Sequence, residues 1–263
     1  MEQDNLRAMK ARTPRKDLKN AWGDSEETTR VQTKILMEKK VLLNWYRKIY
    51  DYMKENIFPH AVTVEIGSGS SLLFEHIPGL VKSNVIPIQD NDLVFSAYQM
   101  PFEDGSVGNL ILINVLHHLG DPYAFFEEAE RVLVPGGRIL ISDPYLSLLS
   151  YPVWKFLHPE PCDRSRLGFS VAGEPNPLTD ANSANATLLF ASREKPFEQR
   201  CRSLFLKEVK LHSKFQYWLA GGYNFPSLVP ASWVPAVDFL ELLFSPLDKW
   251  MASFMFAVIE KKG

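Results

Sequence analysis

An excess of charge of either sign, paired cysteines and long apolar runs are what this 263-residue chain lacks. Its 29 lysines and arginines face 31 aspartates and glutamates, a formal net charge of -2. That balance gives no electrostatic footprint for gripping a phosphate backbone, so nucleic acid is not expected as a partner. Cys162 and Cys201 are its two cysteines, far apart and without CxxC spacing. They suggest neither a disulfide framework nor a zinc site; no metal is expected, and a reducing, cytoplasmic setting fits. No apolar stretch approaches the roughly 20 residues of a spanning helix. Residues 1 to 30 carry Lys10, Arg12, Arg15 and Lys16 without an apolar h-region, so neither secretion nor membrane insertion is expected. There is also no internal repeat and no low-complexity tract.

What is present is an ordinary globular composition, 46% hydrophobic and 23% charged, at a length suited to one α/β domain with an elaborated edge. The polar start, with Pro14, Gly23 and the acidic Asp24, Glu26 and Glu27, predicts little fixed structure before Thr28. From Val31 onward Ile35, Leu42, Trp45, Ile49 and Met53 recur at helical intervals and predict an amphipathic cover helix. The charged run Glu38-Lys39-Lys40 reads as its solvated face.

Strand and helix then alternate. Ala61 to Ile66 predicts a first strand ending in the turn Gly67-Ser68-Gly69-Ser70-Ser71, followed by a helix over Leu72 to His76. Val85, Ile86 and Ile88 predict a second strand, and Leu110 to Ile113 one buried on both faces. Helical spacing from Asp121 to Leu133 stops at Pro135-Gly136-Gly137, before a strand at Arg138 to Ser142. After Asp143 six prolines between Pro144 and Pro177 limit regular structure and predict an insertion over the site. Beyond it, a short helix is expected at Glu198 to Leu206, an edge strand at Val209 and Leu211, a helix at Ala236 to Phe244, and a last strand at Met251 to Ile259.

Two glycines closing a strand let the backbone approach a ligand, and a following helix N-terminus offers free amides to a nucleoside or carboxylate. Such a turn is equally common as a plain strand-to-helix connection, and its surroundings supply the weight. Glu65-Ile66-Gly67-Ser68-Gly69-Ser70 resembles the first motif of class I S-adenosylmethionine-dependent methyltransferases. Met100-Pro101-Phe102-Glu103-Asp104-Gly105-Ser106, Leu116-His117-His118-Leu119 and Arg131 to Gly137 resemble further segments of that family, in the same order. The resemblance covers about residues 60 to 145; the stretches Ser203 to Leu211 and Leu219 to Gly222 are more weakly similar to bacterial members associated with surface-glycan biosynthesis. It implies a Rossmann-like α/β fold: a mainly parallel seven-stranded sheet with an antiparallel last strand and helices on both faces. Residues 1–58 form the polar terminus and cover helix, and 59–263 the methyltransferase-like domain with an irregular acceptor-side insertion at about 144–200.

The resemblance further implies S-adenosylmethionine as cofactor and S-adenosylhomocysteine as product. The methionine end is expected at Glu65, Gly67, Ser68, Gly69 and Ser70, the ribose near Asn84, and the adenine near Ser96, Ala97 and Tyr98, with Asn114 and Val115 completing the wall. Asn84, Ser96 and Gly108 stand where family members commonly have acidic residues, so the sequence departs from the pattern at three positions. With the methyl already electrophilic, the protein must align an acceptor and remove its proton. His118 is the preferred proton acceptor, with His117 and Tyr145 as further catalytic candidates, because an imidazole titrates near neutral pH and follows the fourth strand where the cleft opens. Helix capping or cleft-wall packing is the competing role for both histidines. His158, Glu160, Tyr217 and Tyr223 could meet a small-molecule or glycan-type acceptor, or simply pack. The expected reaction is methyl transfer, at oxygen; the rivals are a catalytically silent subunit binding a protein partner or metabolite, and a dehydrogenase, which Leu72 in place of a third glycine disfavours.

Overall fold

The computed structural model describes residues 26–88, 90–170, 180–193 and 196–263. Seven strands form one sheet: β1 (Thr63–Ile66), β2 (Val81–Asn84), β3 (Leu93–Val94), β4 (Val107–Ile113), β5 (Leu133–Pro144), β6 (Leu204–His212) and β7 (Phe254–Lys261). Their order is β3-β2-β1-β4-β5-β7-β6, with β7 antiparallel to both neighbours and the remaining pairings parallel. This is the Rossmann-like topology expected, including the reversed final strand. The reversal of strand order beside β1 opens a crevice at the carboxyl ends of β1 and β4, where ligands of open α/β sheets bind.

β4 shows why the sheet holds. Leu110 and Leu112 join the core on one face, under Phe125, Phe126, Ala129 and Val132 of a helix α3 (Pro122–Val132). Ile111 and Ile113 join the core on the other, under Trp45, Ile49 and Met53 of a helix α2 (Lys40–Asn56). The period of two sorts alternate residues to opposite faces, and each fully buried aromatic or aliphatic side chain contributes about 1.5–3 kcal/mol. Asp121 caps α3, its carboxylate accepting from the amides of Tyr123 (3.0 Å) and Ala124 (3.2 Å), with Pro122 at the first helical position.

Several elements differ from expectation. The cover is two helices, α1 (Glu26–Glu38) and α2, broken at Lys39. Lys39 is no solvated-face residue: its ammonium donates to the carbonyls of Gly222 and, at 2.7 Å, Phe225, pinning a distant loop to the break. The second strand lies at Val81–Asn84 rather than at Val85 to Ile88, since Pro87 has no amide for a ladder and the Ser83 hydroxyl is satisfied inside by the Glu65 carbonyl at 2.8 Å. The helix expected over Leu72 to His76 shrinks to a 3₁₀ turn at Leu73–Glu75, cut off by Pro78 and by Gly79 at φ +77°. The segment Glu198 to Leu206 divides between a helix at Pro196–Arg200 and the start of β6. The expectation for residues before Thr28 falls largely outside the described residues. No helix among the described residues is long and apolar enough to cross a membrane.

Candidate functional site

A cavity of about 300 Å³ opens at the carboxyl ends of β1, β2 and β4, within the size range of small-molecule sites. Its lining includes Gly67 to Ser70, Asn84, Ser96 to Tyr98, Asn114 and Val115, which we call one wall, and His117, His118, His158, Glu160, Tyr217 and Tyr223, which we call the other. Every residue expected to meet the cofactor or the acceptor lines it except Glu65 and Tyr145. Tyr145 departs from its expected catalytic place: its side chain sits in the core and its hydroxyl donates to the Lys249 carbonyl at 3.3 Å.

The turn after β1 is shaped by glycine. Gly67 has φ +66°, and a Cβ there would lie 2.8 Å from Val115 Cγ2. Gly69, at φ +47°, has nothing nearer than 3.8 Å, so its surroundings are open. Both the backbone conformation and the close approach call for glycine at 67. The turn is tied to β2 by the Ser68 amide donating to the Ser83 carbonyl at 2.8 Å. With only a 3₁₀ turn after it, this bend lacks the helix N-terminus the sequence suggested; its backbone alone shapes the hollow. Glu65 lies behind the bend, 1% exposed, with Oε2 unpartnered among the described residues, and burial pushes its carboxyl up to about 7.

The three missing acids have separate explanations. Asn84 faces the cavity at the end of β2, its Oδ1 accepting from the Val85 amide at 2.7 Å. Ser96 also lines the cavity, its hydroxyl accepting from the Tyr98 amide at 3.3 Å. Gly108 is not in the cavity at all: a Cβ there would lie 2.1 Å from the Ala61 Cβ, so packing rather than ligand chemistry forbids an acid. Asn114 holds a left-handed backbone at φ +57°, donates from Nδ2 to the Tyr46 hydroxyl at 3.2 Å, and leaves a buried Oδ1 without a partner among the described residues. Such strain in a non-glycine residue costs of order 1–3 kcal/mol and marks functional sites.

The second wall is built from side chains brought together from four places in the chain. His117, 4% exposed, sits between two carboxylates: Nδ1 is 2.9 Å from Asp143 Oδ1 and Nε2 is 3.3 Å from Glu160 Oε2. Burial alone would lower its pKa, but the two carboxylates outweigh it and raise the imidazole to about 10. His118 shows the opposite shift: burial, reinforced by charge on His117, takes it down to about 4. Its Nδ1 lies 3.1 Å from the Asp180 carbonyl, which fixes Nδ1 as the donor and leaves the lone pair on Nε2. Burial would raise Glu160, but His117 and its neighbours hold it down to about 2. The Glu160 amide donates to His158 Nδ1 at 3.4 Å, orienting that ring.

Two asparagines that sequence reasoning missed clamp this wall. Asn182 donates its amide to the His117 carbonyl at 2.7 Å and its Nδ2 to three carbonyls, those of Asp163, Arg166 and Gly168. Asn185 donates to the carbonyls of Leu116 and Leu119, both at 3.2 Å. Asp143 was missed as well, and so was Trp154, which lines the cavity and whose indole N–H has no partner among the described residues. Tyr223 is held over the turn by its hydroxyl, 3.0 Å from the Ser70 hydroxyl. Its neighbours explain the Gly221-Gly222 pair, because a Cβ at Gly221 would lie 2.5 Å from the Phe225 carbonyl oxygen.

Residues 80–141 match the family model described as a methyltransferase domain, a stretch that begins beyond the Gly67 to Ser70 turn. Over 47 residues, 18% of this chain, it is 43% identical to the "Uncharacterized 37.1 kDa protein in transposon TN4556" of Streptomyces fradiae; the match spans 14% of that relative's length. Among solved structures it is similar to geranyl diphosphate C-methyltransferase from Streptomyces coelicolor A3(2), in complex with Mg2+, geranyl diphosphate and S-adenosyl-L-homocysteine, at 12% identity and TM-score 0.49 over 88% of this chain and 84% of that one. It is also similar to a putative sarcosine dimethylglycine methyltransferase from Galdieria sulphuraria, at 14% identity and TM-score 0.43 over 83% and 84%.

Proposed function

For a chain of class I methyltransferase topology whose residues 80–141 match a methyltransferase domain, we propose methyl transfer from S-adenosylmethionine to the oxygen of a small-molecule or glycan-type acceptor. The observation that carries this reading is one cavity lined both by a glycine-shaped, uncharged bend and by the His118 imidazole. The bend fits the cofactor because the space beside Gly69 is open, with no atom nearer than 3.8 Å to where a Cβ would stand. Gly67 to Ser70 hold the methionine end, Asn84 donates to the ribose through Nδ2, and Ser96, Ala97 and Tyr98 flank the adenine. When bound, the cofactor supplies a methyl group on a positively charged sulfur, already open to attack.

The protein's own residues align the acceptor and manage its proton. His118 Nε2 stands 3.7 Å from Glu160 Oε1, beyond hydrogen-bond reach, and faces the cavity. The acceptor hydroxyl donates to that lone pair while its oxygen is aimed at the methyl. His118 Nε2 takes the hydroxyl proton as the acceptor oxygen receives the methyl group that the bound cofactor would supply. Burial, reinforced by like charge on His117, keeps His118 unprotonated, and His117 acts as a positioning residue. Tyr217, Tyr223 and Trp154 frame the acceptor with aromatic surface suited to a sugar or ring. The protein is assigned to cytoplasmic biosynthesis on this reading.

A silent subunit is the second reading, favoured by Asn84 and Ser96 standing in for acids on the cofactor wall; Gly108 gives it no support. Calorimetric titration with S-adenosylmethionine and S-adenosylhomocysteine separates the two. Saturable heat with both ligands is expected, and its absence at millimolar ligand leaves only the silent subunit. Once an acceptor is in hand, His118→Asn is expected to lower kcat about 10²- to 10⁴-fold. Full turnover in that variant removes His118 from proton transfer.

A further inference from the structure

We propose that His117, His118 and Glu160 form a binding site for a divalent first-row transition-metal ion, open on its remaining side to the acceptor half of the cavity. One ligand atom from each residue falls within a sphere of contacts no longer than 4.8 Å. His117 Nε2 and Glu160 Oε2 are 3.3 Å apart, and His118 Nε2 and Glu160 Oε1 are 3.7 Å apart. Donors bound at about 2.0–2.2 Å to a tetrahedral ion stand about 3.4 Å from one another, so a small closing movement suffices.

The surroundings argue for a metal more specifically than the spacing does. Each histidine is held through Nδ1, His117 by the Asp143 carboxylate at 2.9 Å and His118 by the Asp180 carbonyl at 3.1 Å. This is the arrangement that orients metal-ligating imidazoles, with the other ring nitrogen turned to the ion. Here both Nε2 atoms are turned to one carboxylate. A proton on His117 Nε2 satisfies its 3.3 Å contact with Glu160 but leaves the His118 lone pair facing Glu160 Oε1; a cation between the three atoms satisfies all of them. Charge points the same way. Asp143 is 0% exposed, the Glu160 side chain 10%, and no lysine or arginine among the described residues lines the cavity. Binding displaces the proton from His117 Nε2, and a dication then balances those two negative charges.

The backbone carrying the ligands is fixed in advance by Asn182 and Asn185, as a metal site requires. Two imidazoles and one carboxylate select ions of the zinc and iron(II) kind over Mg2+ or Ca2+, and three protein ligands leave a coordination position for a further oxygen. That oxygen is the acceptor's on the reading given above: in the metal-loaded form the ion takes over the role of His118 Nε2, holding the hydroxyl oxygen and lowering its pKa so that its proton is released to water. This role rests on the methyl-transfer reading; the metal site itself does not.

The test is a calorimetric Zn2+ titration of the full chain after dialysis against a chelator, with Co2+ absorption in the visible as a second readout and Mg2+ as control. One Zn2+ per chain is expected, with a Co2+ spectrum and no Mg2+ heat. Glu160→Gln and His118→Asn are each expected to weaken Zn2+ at least about tenfold, and Asp143→Asn, which touches only the far nitrogen of His117, about 10- to 100-fold. S-adenosylmethionine heat and a thermal melt for each variant show that the fold persists. No saturable Zn2+ or Co2+ signal overturns the proposal, and so does binding that both Glu160→Gln and His118→Asn leave unchanged. If Zn2+ binds as described while S-adenosylmethionine gives no heat, the metal site stands and the methyl-transfer reading falls.

Discussion

On the wall made by the bend after β1, the end of β2 and the loop after β3, none of the side chains at 67–70, 84 and 96–98 carries a charge. At the bend, shape comes from backbone and from the lack of a Cβ at Gly67 and Gly69. On the other wall, less than a side chain's length separates two histidines, one raised to about 10 and the other lowered to about 4, around carboxylates that burial would otherwise expel. The first wall draws on the short segments 67–70, 84 and 96–98; the second draws on positions 117, 143, 160 and 180. A neutral, backbone-shaped wall suits a ligand that brings its own charge, and a charged wall suits a step in which a proton moves.

The comparison can be broken at its strongest point by Asp143→Ala. Removing one partner of a buried ion pair is expected to cost about 3–5 kcal/mol, read by denaturant unfolding. A loss under about 1 kcal/mol means the charged wall is not held together by its charges. The neutral wall is tested by Gly67→Val, which meets both the positive φ and the Val115 side chain. Cofactor affinity is expected to fall more than about 100-fold, about 2.7 kcal/mol, with the sheet intact by circular dichroism. Unchanged affinity places the cofactor elsewhere.

Glu65 sharpens the contrast from behind the neutral wall. Its folded pKa of about 7 lies above its ordinary value of 4.5, so its stabilising contribution is complete below pH 4.5 and is lost as pH rises through 7. Glu65→Gln is expected to melt higher than the parent at alkaline pH, by on the order of 2 kcal/mol, and to flatten the decline between mildly acid and alkaline pH. Parallel melting curves across that range show that the carboxyl is not desolvated. The smallest effect is expected from Asn84→Asp. The aspartate keeps one oxygen on the Val85 amide and offers the other to a ribose hydroxyl as a charge-assisted acceptor, tightening S-adenosylmethionine up to about tenfold. Weaker binding shows that Nδ2 is the donor the ribose needs.

The contrast also explains what the sequence made legible. The bend, the apolar run of β4, the capped helix α3 and the reversed last strand are each written in a few neighbouring residues, and all were expected near where they lie. The second strand and the turn at Leu73–Glu75 were misplaced because polar Ser83 is satisfied by a carbonyl no local pattern announces and because Pro78 truncates the helix. Lys39 was read as solvated because its carbonyl partners lie some 180 residues downstream. On the charged wall the adjacent histidines were visible, and Glu160 was singled out with them. Asp143 was hidden as the end of a strand, and Asn182 and Asn185 sit in a segment with no periodic signal.

The contact between the Ser70 and Tyr223 hydroxyls, 3.0 Å apart, spans the gap from one wall to the other. A molecule that takes the Ser70 hydroxyl for itself must first part this pair, giving up about 1 kcal/mol. By reciprocity, whatever stiffens the segment around Tyr223 then penalises that molecule by the same factor, about fivefold. On the proposed reading, occupancy of the two compartments is expected to be negatively linked through one pair of oxygens, and Tyr223→Phe is expected to dissolve that linkage.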